Sequence, residues 1–71
     1  MRFSLLIKRN GLASYYANLT AERAAAMLMQ KHQFGYGLER LIYMAEEFNK
    51  PLRVKATLGG QSISIQSMEE A

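Results

Sequence analysis

Apolar and polar residues alternate at the two ends of this 71-residue chain and recur at helical spacing in its middle. Phe3, Leu5 and Ile7 are interleaved with Arg2, Ser4, Leu6 and Lys8. That period of two predicts a strand with one buried face. Asn10-Gly11 follows, and both residues tolerate positive φ, so the pair predicts a two-residue hairpin turn. The return strand, Leu12 to Ala17, then sets Ile7 opposite Ser14 and Leu5 opposite Tyr16, with Tyr15 beside Leu6 on the outer face. A slip of one residue would exchange the faces, which makes this the less constrained register of the two hairpins.

The C-terminal pattern is firmer. Leu52, Val54, Ala56 and Leu58 alternate with Arg53, Lys55 and Thr57, and Gly59-Gly60 then turns the chain into a return strand from Gln61 to Gln66. This turn sets Ala56 opposite Ile63 and Val54 opposite Ile65, keeping the apolar residues on one face. Arg53, Lys55, Ser62, Ser64 and Gln66 fall on the other.

Between the hairpins the period becomes helical. Thr20 is placed as an N-cap, with Leu19 positioned to staple against Ala24 and Glu22 in the first turn. Ala21 to Gln33 is rich in helix formers. Leu38, Leu41, Ile42, Ala45 and Phe48 form a second apolar stripe that Asn49-Lys50-Pro51 ends. Gly35 and Gly37, on either side of Tyr36, predict a break into two helices. The alternative is one helix from Thr20 to Phe48, because apolar spacing continues through the glycines with Lys31 as the only misfit. Each glycine would cost that helix about 1 kcal/mol relative to alanine. At about 40 Å it would overhang so small a sheet and favour a dimer.

These elements define an α+β fold in the order ββααββ, an antiparallel sheet with helices on one face. The expected domain spans residues 1–66, followed by an acidic tail at 67–71. With 49% apolar and 21% charged residues the chain is of globular composition. It is near the lower size limit for one core, and has no cysteine to reinforce it by disulfide or thiolate-bound metal. Size therefore argues for a symmetric dimer. Met27, Phe34 and Leu38 are the candidate surface, since Met27, Met29 and Met44 with Ala24, Ala25 and Ala26 make a soft, thin helical face that otherwise serves as core filler. No signal-peptide core or membrane-spanning run is present. With the missing cysteines this points to the cytoplasm.

Charge then changes the picture. Residues 2–19 and 52–66 contain Arg2, Lys8, Arg9, Arg53 and Lys55 but no Asp or Glu, whereas 20–50 is balanced. The formal charge of +3 is thus concentrated on the sheet. On the assigned faces, Arg2, Lys8, Arg53 and Lys55 share the outer side with Tyr15, Thr57, Ser62, Ser64 and Gln66. Arg53 and Lys55 stand two residues apart, with Arg2 or Lys8 expected near them on a neighbouring strand. Basic groups beside an aromatic ring can hold a nucleic-acid backbone and stack a base. Only one tyrosine is available, and no RNP-type motif is present. The same face suits an acidic protein surface equally, and an ordinary solvated sheet face is the plainest alternative.

Catalytic chemistry finds no support. His32 is the only histidine, and the chain has no Cys, no Asp and no second His to complete a catalytic or metal site with it, so an exposed or helix-end residue is the plainer reading. The alternating serines lack a base. Glu39, Glu46 and Glu47 accompany Arg40 and Lys50 and fit a solvated helix face. Gly35-Tyr36-Gly37 follows a helix and has Arg40 where a phosphate loop needs a third small residue. The sequence thus predicts a non-enzymatic protein-interaction module without a cofactor, an adaptor or inhibitor of a larger assembly that acts through Arg2, Lys8, Tyr15, Arg53 and Lys55. The alternative is a nucleic-acid-binding regulator using the same basic face.

Overall fold

The computed structural model describes residues 1–31 and 37–68. Strands β1 (Arg2–Arg9) and β2 (Leu12–Leu19) form the first hairpin, helices α1 (Ala21–Ala26) and α2 (Leu38–Phe48) follow, and β3 (Arg53–Leu58) and β4 (Gln61–Met68) form the second. The fold is the expected antiparallel α+β arrangement in the order ββααββ.

The strands lie in the order β2-β1-β4-β3, so each hairpin contributes its outer strand to an edge and its inner strand to the centre. Both expected registers are present: Ile7 faces Ser14 and Leu5 faces Tyr16, while Ala56 faces Ile63 and Val54 faces Ile65. The central pairing of β1 with β4 runs from Arg2 opposite Met68 to Arg9 opposite Gln61. β2 continues beyond Ala17 through a bulge, where the partner of Phe3 becomes Leu19. Without the extra residue Asn18 would oppose Phe3. The bulge instead delivers apolar Leu19 to the core side, with Asn18 taking a φ of 61° that asparagine accepts.

β4 runs on through Ser67 and Met68, past the expected domain boundary at Gln66. Ser67 N–H donates to the Leu52 carbonyl at 2.9 Å, and Leu52 N–H donates to Ser67 Oγ. These bonds and the Arg2–Met68 pairing extend the folded unit, so residues 67 and 68 belong to the strand and not to the tail.

Thr20 caps α1 as expected, its Oγ1 accepting from Arg23 N–H at 3.2 Å. Ala21, Ala24, Ala25 and Leu28 are buried, the spacing of one helical face. Past Ala26 the helix does not stay α-helical. Met27–Lys31 forms a wider π-helical turn, beginning where small alanines give way to bulky Met27, Leu28 and Met29. Gly37 adopts φ 133° and ψ −48°, which no helical residue can have, so an uninterrupted helix from Thr20 to Phe48 is ruled out and the two-helix reading holds.

The helices cover one face of the sheet. Phe3, Leu5, Ile7, Ile63 and Ile65 meet Ala21, Ala24, Leu28, Ile42 and Ala45 there. Each fully buried large side chain contributes roughly 1.5–3 kcal/mol. The stripe expected on α2 is only partly used: Ile42 and Ala45 are buried, Leu38 and Leu41 are half-buried, and Phe48 is 59% exposed. Glu39 also departs from the expected solvated face. It is buried, and its Oε2 accepts from Gly37 N–H at 3.1 Å. Gly37 has no side chain with which to cap α2, so the carboxylate reaches back to do so, where the helix dipole favours it.

Candidate functional site

With both helices on one side, no element among the described residues covers the other face of the sheet. The three registers define its rows: Tyr15, Leu6, Ser64 and Lys55 lie in one, and Ala13, Lys8, Ser62 and Thr57 in the next. Ser4, Gln66 and Arg53 share a third, and Arg2 stands beside Met68 at the end.

Arg53 and Lys55 share one side of β3, about 7 Å apart along the strand. The expectation that Arg2 or Lys8 adjoins them on a neighbouring strand is corrected by the strand order, because β4 lies between β1 and β3. Lys8 is two strand spacings from β3 and diagonal to Lys55, about 12 Å away at the backbone. Between them the short side chains of Ser62 and Ser64 form the floor of a shallow concavity of about 350 Å³, bordered by Leu6, Lys8, Lys55 and Thr57. Two ammonium groups thus flank a trough of hydroxyls. Among the described residues Lys8, Arg53 and Lys55 have no carboxylate partner, the one ion pair joining the Met1 ammonium to Glu46 Oε2 at 3.8 Å. The trough suits carboxylates or phosphates, which accept hydrogen bonds from both group types.

The other site candidates stand apart. Arg2 is half-buried and about 20 Å from Lys8 along β1. Tyr15 is exposed on edge strand β2, across from Leu6 and diagonal to Lys8. It lies about 14 Å from Lys55 across three strand spacings. Ser4 is buried although its face is uncovered, being a short side chain among the taller Arg2, Leu6 and Gln66.

Of the dimer candidates, Met27 and Leu38 are half-buried and pack against the core, and Phe34 lies outside the described residues. Met29 and Met44 are exposed. A feature the sequence reading missed is a groove of about 350 Å³ between α2 and the start of β3, lined by Leu41, Met44, Phe48, Pro51 and Leu52. Helical periodicity assigned Leu41 and Phe48 to the core. In the structure Leu41 is half-buried and Phe48 exposed, both lining this groove.

His32 lies outside the described residues. Among those described, no group of three His, Cys, Asp or Glu side chains could hold a metal ion. No helix among them is long and apolar enough to cross a membrane. The chain matches no protein-family model, no curated protein and no solved structure.

Proposed function

We propose that this protein is a small non-enzymatic interaction module that docks an acidic protein surface on the bare face of its sheet. The observation that carries the proposal is the trough between Lys8 and Lys55, extended along β3 by Arg53 and without a carboxylate among its described neighbours. Leu6, Tyr15 and Met68 supply apolar surface on the same face, a mixture that favours a protein partner over a nucleic acid. A base-stacking platform needs several rings near the phosphate-binding groups. Tyr15 is the one aromatic side chain on the described face, and it stands at the edge opposite Arg53 and Lys55.

A cytoplasmic adaptor or inhibitor role fits a cysteine-free chain. A symmetric dimer is part of the same proposal, resting on the small core and on the half-buried Met27 and Leu38. The test is affinity capture from cell extract, with and without nuclease, comparing the intact chain with Arg53→Gln/Lys55→Gln. A protein partner retained after nuclease and lost from the double variant is the expected result. Capture abolished by nuclease would instead favour the nucleic-acid-binding regulator, whose binding would also weaken steeply with salt. Capture indifferent to both substitutions would reduce the basic face to a solvated surface.

A further inference from the structure

Edge strand β3 joins the basic face to the apolar groove, and its hydrogen-bonding direction follows from one pair. Ser67 N–H on β4 donates to the Leu52 carbonyl, and Leu52 N–H donates to Ser67 Oγ, so Leu52 turns its backbone groups towards β4. Antiparallel residues alternate in direction, so Val54 and Ala56 also turn their backbone groups towards β4. Arg53, Lys55 and Thr57 therefore turn theirs to the open edge, where no strand among the described residues pairs with them. Their side chains lie on the bare face, and Leu52, Val54 and Ala56 lie on the helix side, where the groove under Met44 and Phe48 opens beside Leu52.

Building on the acidic-partner proposal, we infer that the occupant of this edge is an extended segment of the partner that adds to β3 as a fifth strand and alternates acidic with apolar residues. Its acidic side chains stand beside Arg53 and Lys55, within the reach of cross-strand neighbours. Its apolar side chains fall on the other face, continuing Leu52 and Val54 and covering Met44 and Phe48, which are 53% and 59% exposed. Main-chain bonds hold the strand, and the alternating faces select it. A second copy of β3 is a poor occupant, because antiparallel self-pairing would oppose Arg53 and Lys55 to like charges. The other edge, β2, has no charged residue and is broken by its bulge, so it offers neither the acidic selectivity nor a full-length ladder.

The test uses the intact chain and a capped synthetic peptide of about ten residues alternating Glu with Val, followed by fluorescence anisotropy. In an antiparallel addition the Glu residues oppose Arg53, Lys55 and Thr57 and direct their N–H groups into β3, whereas the Val N–H groups point to solvent. N-methylation of the Glu residues should weaken binding by tenfold or more, and N-methylation of the Val residues should change it little. The reverse dependence would also support strand addition, in the parallel sense. A peptide with Lys in place of Glu should not bind. Thr57→Pro removes one edge N–H while sparing Arg53, Lys55 and the bonds to β4, and should cost up to about tenfold. Binding that tolerates both N-methylated series would overturn strand addition while leaving an acidic partner on the sheet face in place. Failure of the unmodified peptide to bind would overturn the inference as well, the acidic-partner proposal then being decided by capture with Arg53→Gln/Lys55→Gln.

Discussion

Asn49 ends α2 at φ 50° and ψ 45°, a left-handed conformation that asparagine tolerates and a β-branched residue resists. Asn49→Val should destabilise the fold by about 1–2 kcal/mol, and Asn49→Gly should stay within about 0.5 kcal/mol, both read by urea unfolding. Ile63, 1% exposed at the centre of the sheet, tests the core. Ile63→Ser should cost about 2–4 kcal/mol through lost burial and an unpartnered hydroxyl. A loss below about 0.5 kcal/mol would mean that Ile63 faces solvent. Glu39 tests the cap: Glu39→Ala should lose about 1 kcal/mol, and Glu39→Gln less, since an amide oxygen still accepts from Gly37 N–H. The inward place of Ile63 was legible from alternation alone. That of Glu39 was not, because periodicity assigns a carboxylate to solvent unless the backbone donor that holds it is already known.

Both hairpins were readable because turn chemistry and alternation agree. Asn10-Gly11 and Gly59-Gly60 adopt positive φ at every residue, as two-residue turns between twisted strands require. Strand order was not readable, since the pairing of β1 with β4 joins opposite ends of the chain without a local signal. Charge is an unreliable guide to it. Arg53 and Lys55 mark β3 as an edge, yet β1 carries Arg2, Lys8 and Arg9 at the centre and uncharged β2 is the other edge. The bulge in β2 was hidden too, because it answers to the docking of Leu19 opposite Phe3 and not to the strand's own alternation. Among the helices, Gly37 is the decisive break. Gly37→Ala meets no neighbouring atom but must hold φ 133°, so a loss of about 1 kcal/mol or more is expected from backbone strain alone. Unchanged stability would imply that the helices can rearrange around residue 37.

The molecule as a whole divides into a covered face, where the helices and sheet share the core, and a bare face that carries the concentrated positive charge. The members of the candidate site were legible from alternation, but their grouping depends on strand order. It sets Lys8 and Lys55 on either side of a serine trough and leaves Arg2 and Tyr15 at distant corners. Arg53→Gln/Lys55→Gln should leave stability within about 0.5 kcal/mol, as exposed positions do, so any loss of binding can be assigned to the surface. Light scattering at high micromolar concentration should report twice the 8.1 kDa chain mass, and a monomer there would remove the dimer from the proposal. The most direct measurement is amide-resolved NMR of the intact chain, titrated with the Glu–Val peptide and separately with a single-stranded RNA of matching length, at about 150 mM salt. Saturable shifts at Arg53, Lys55 and Thr57 of β3 with the peptide, and weaker ones with the RNA, are the predicted result. Tighter binding of the RNA, or peptide shifts confined to α1, would contradict an acidic protein partner on the bare sheet face.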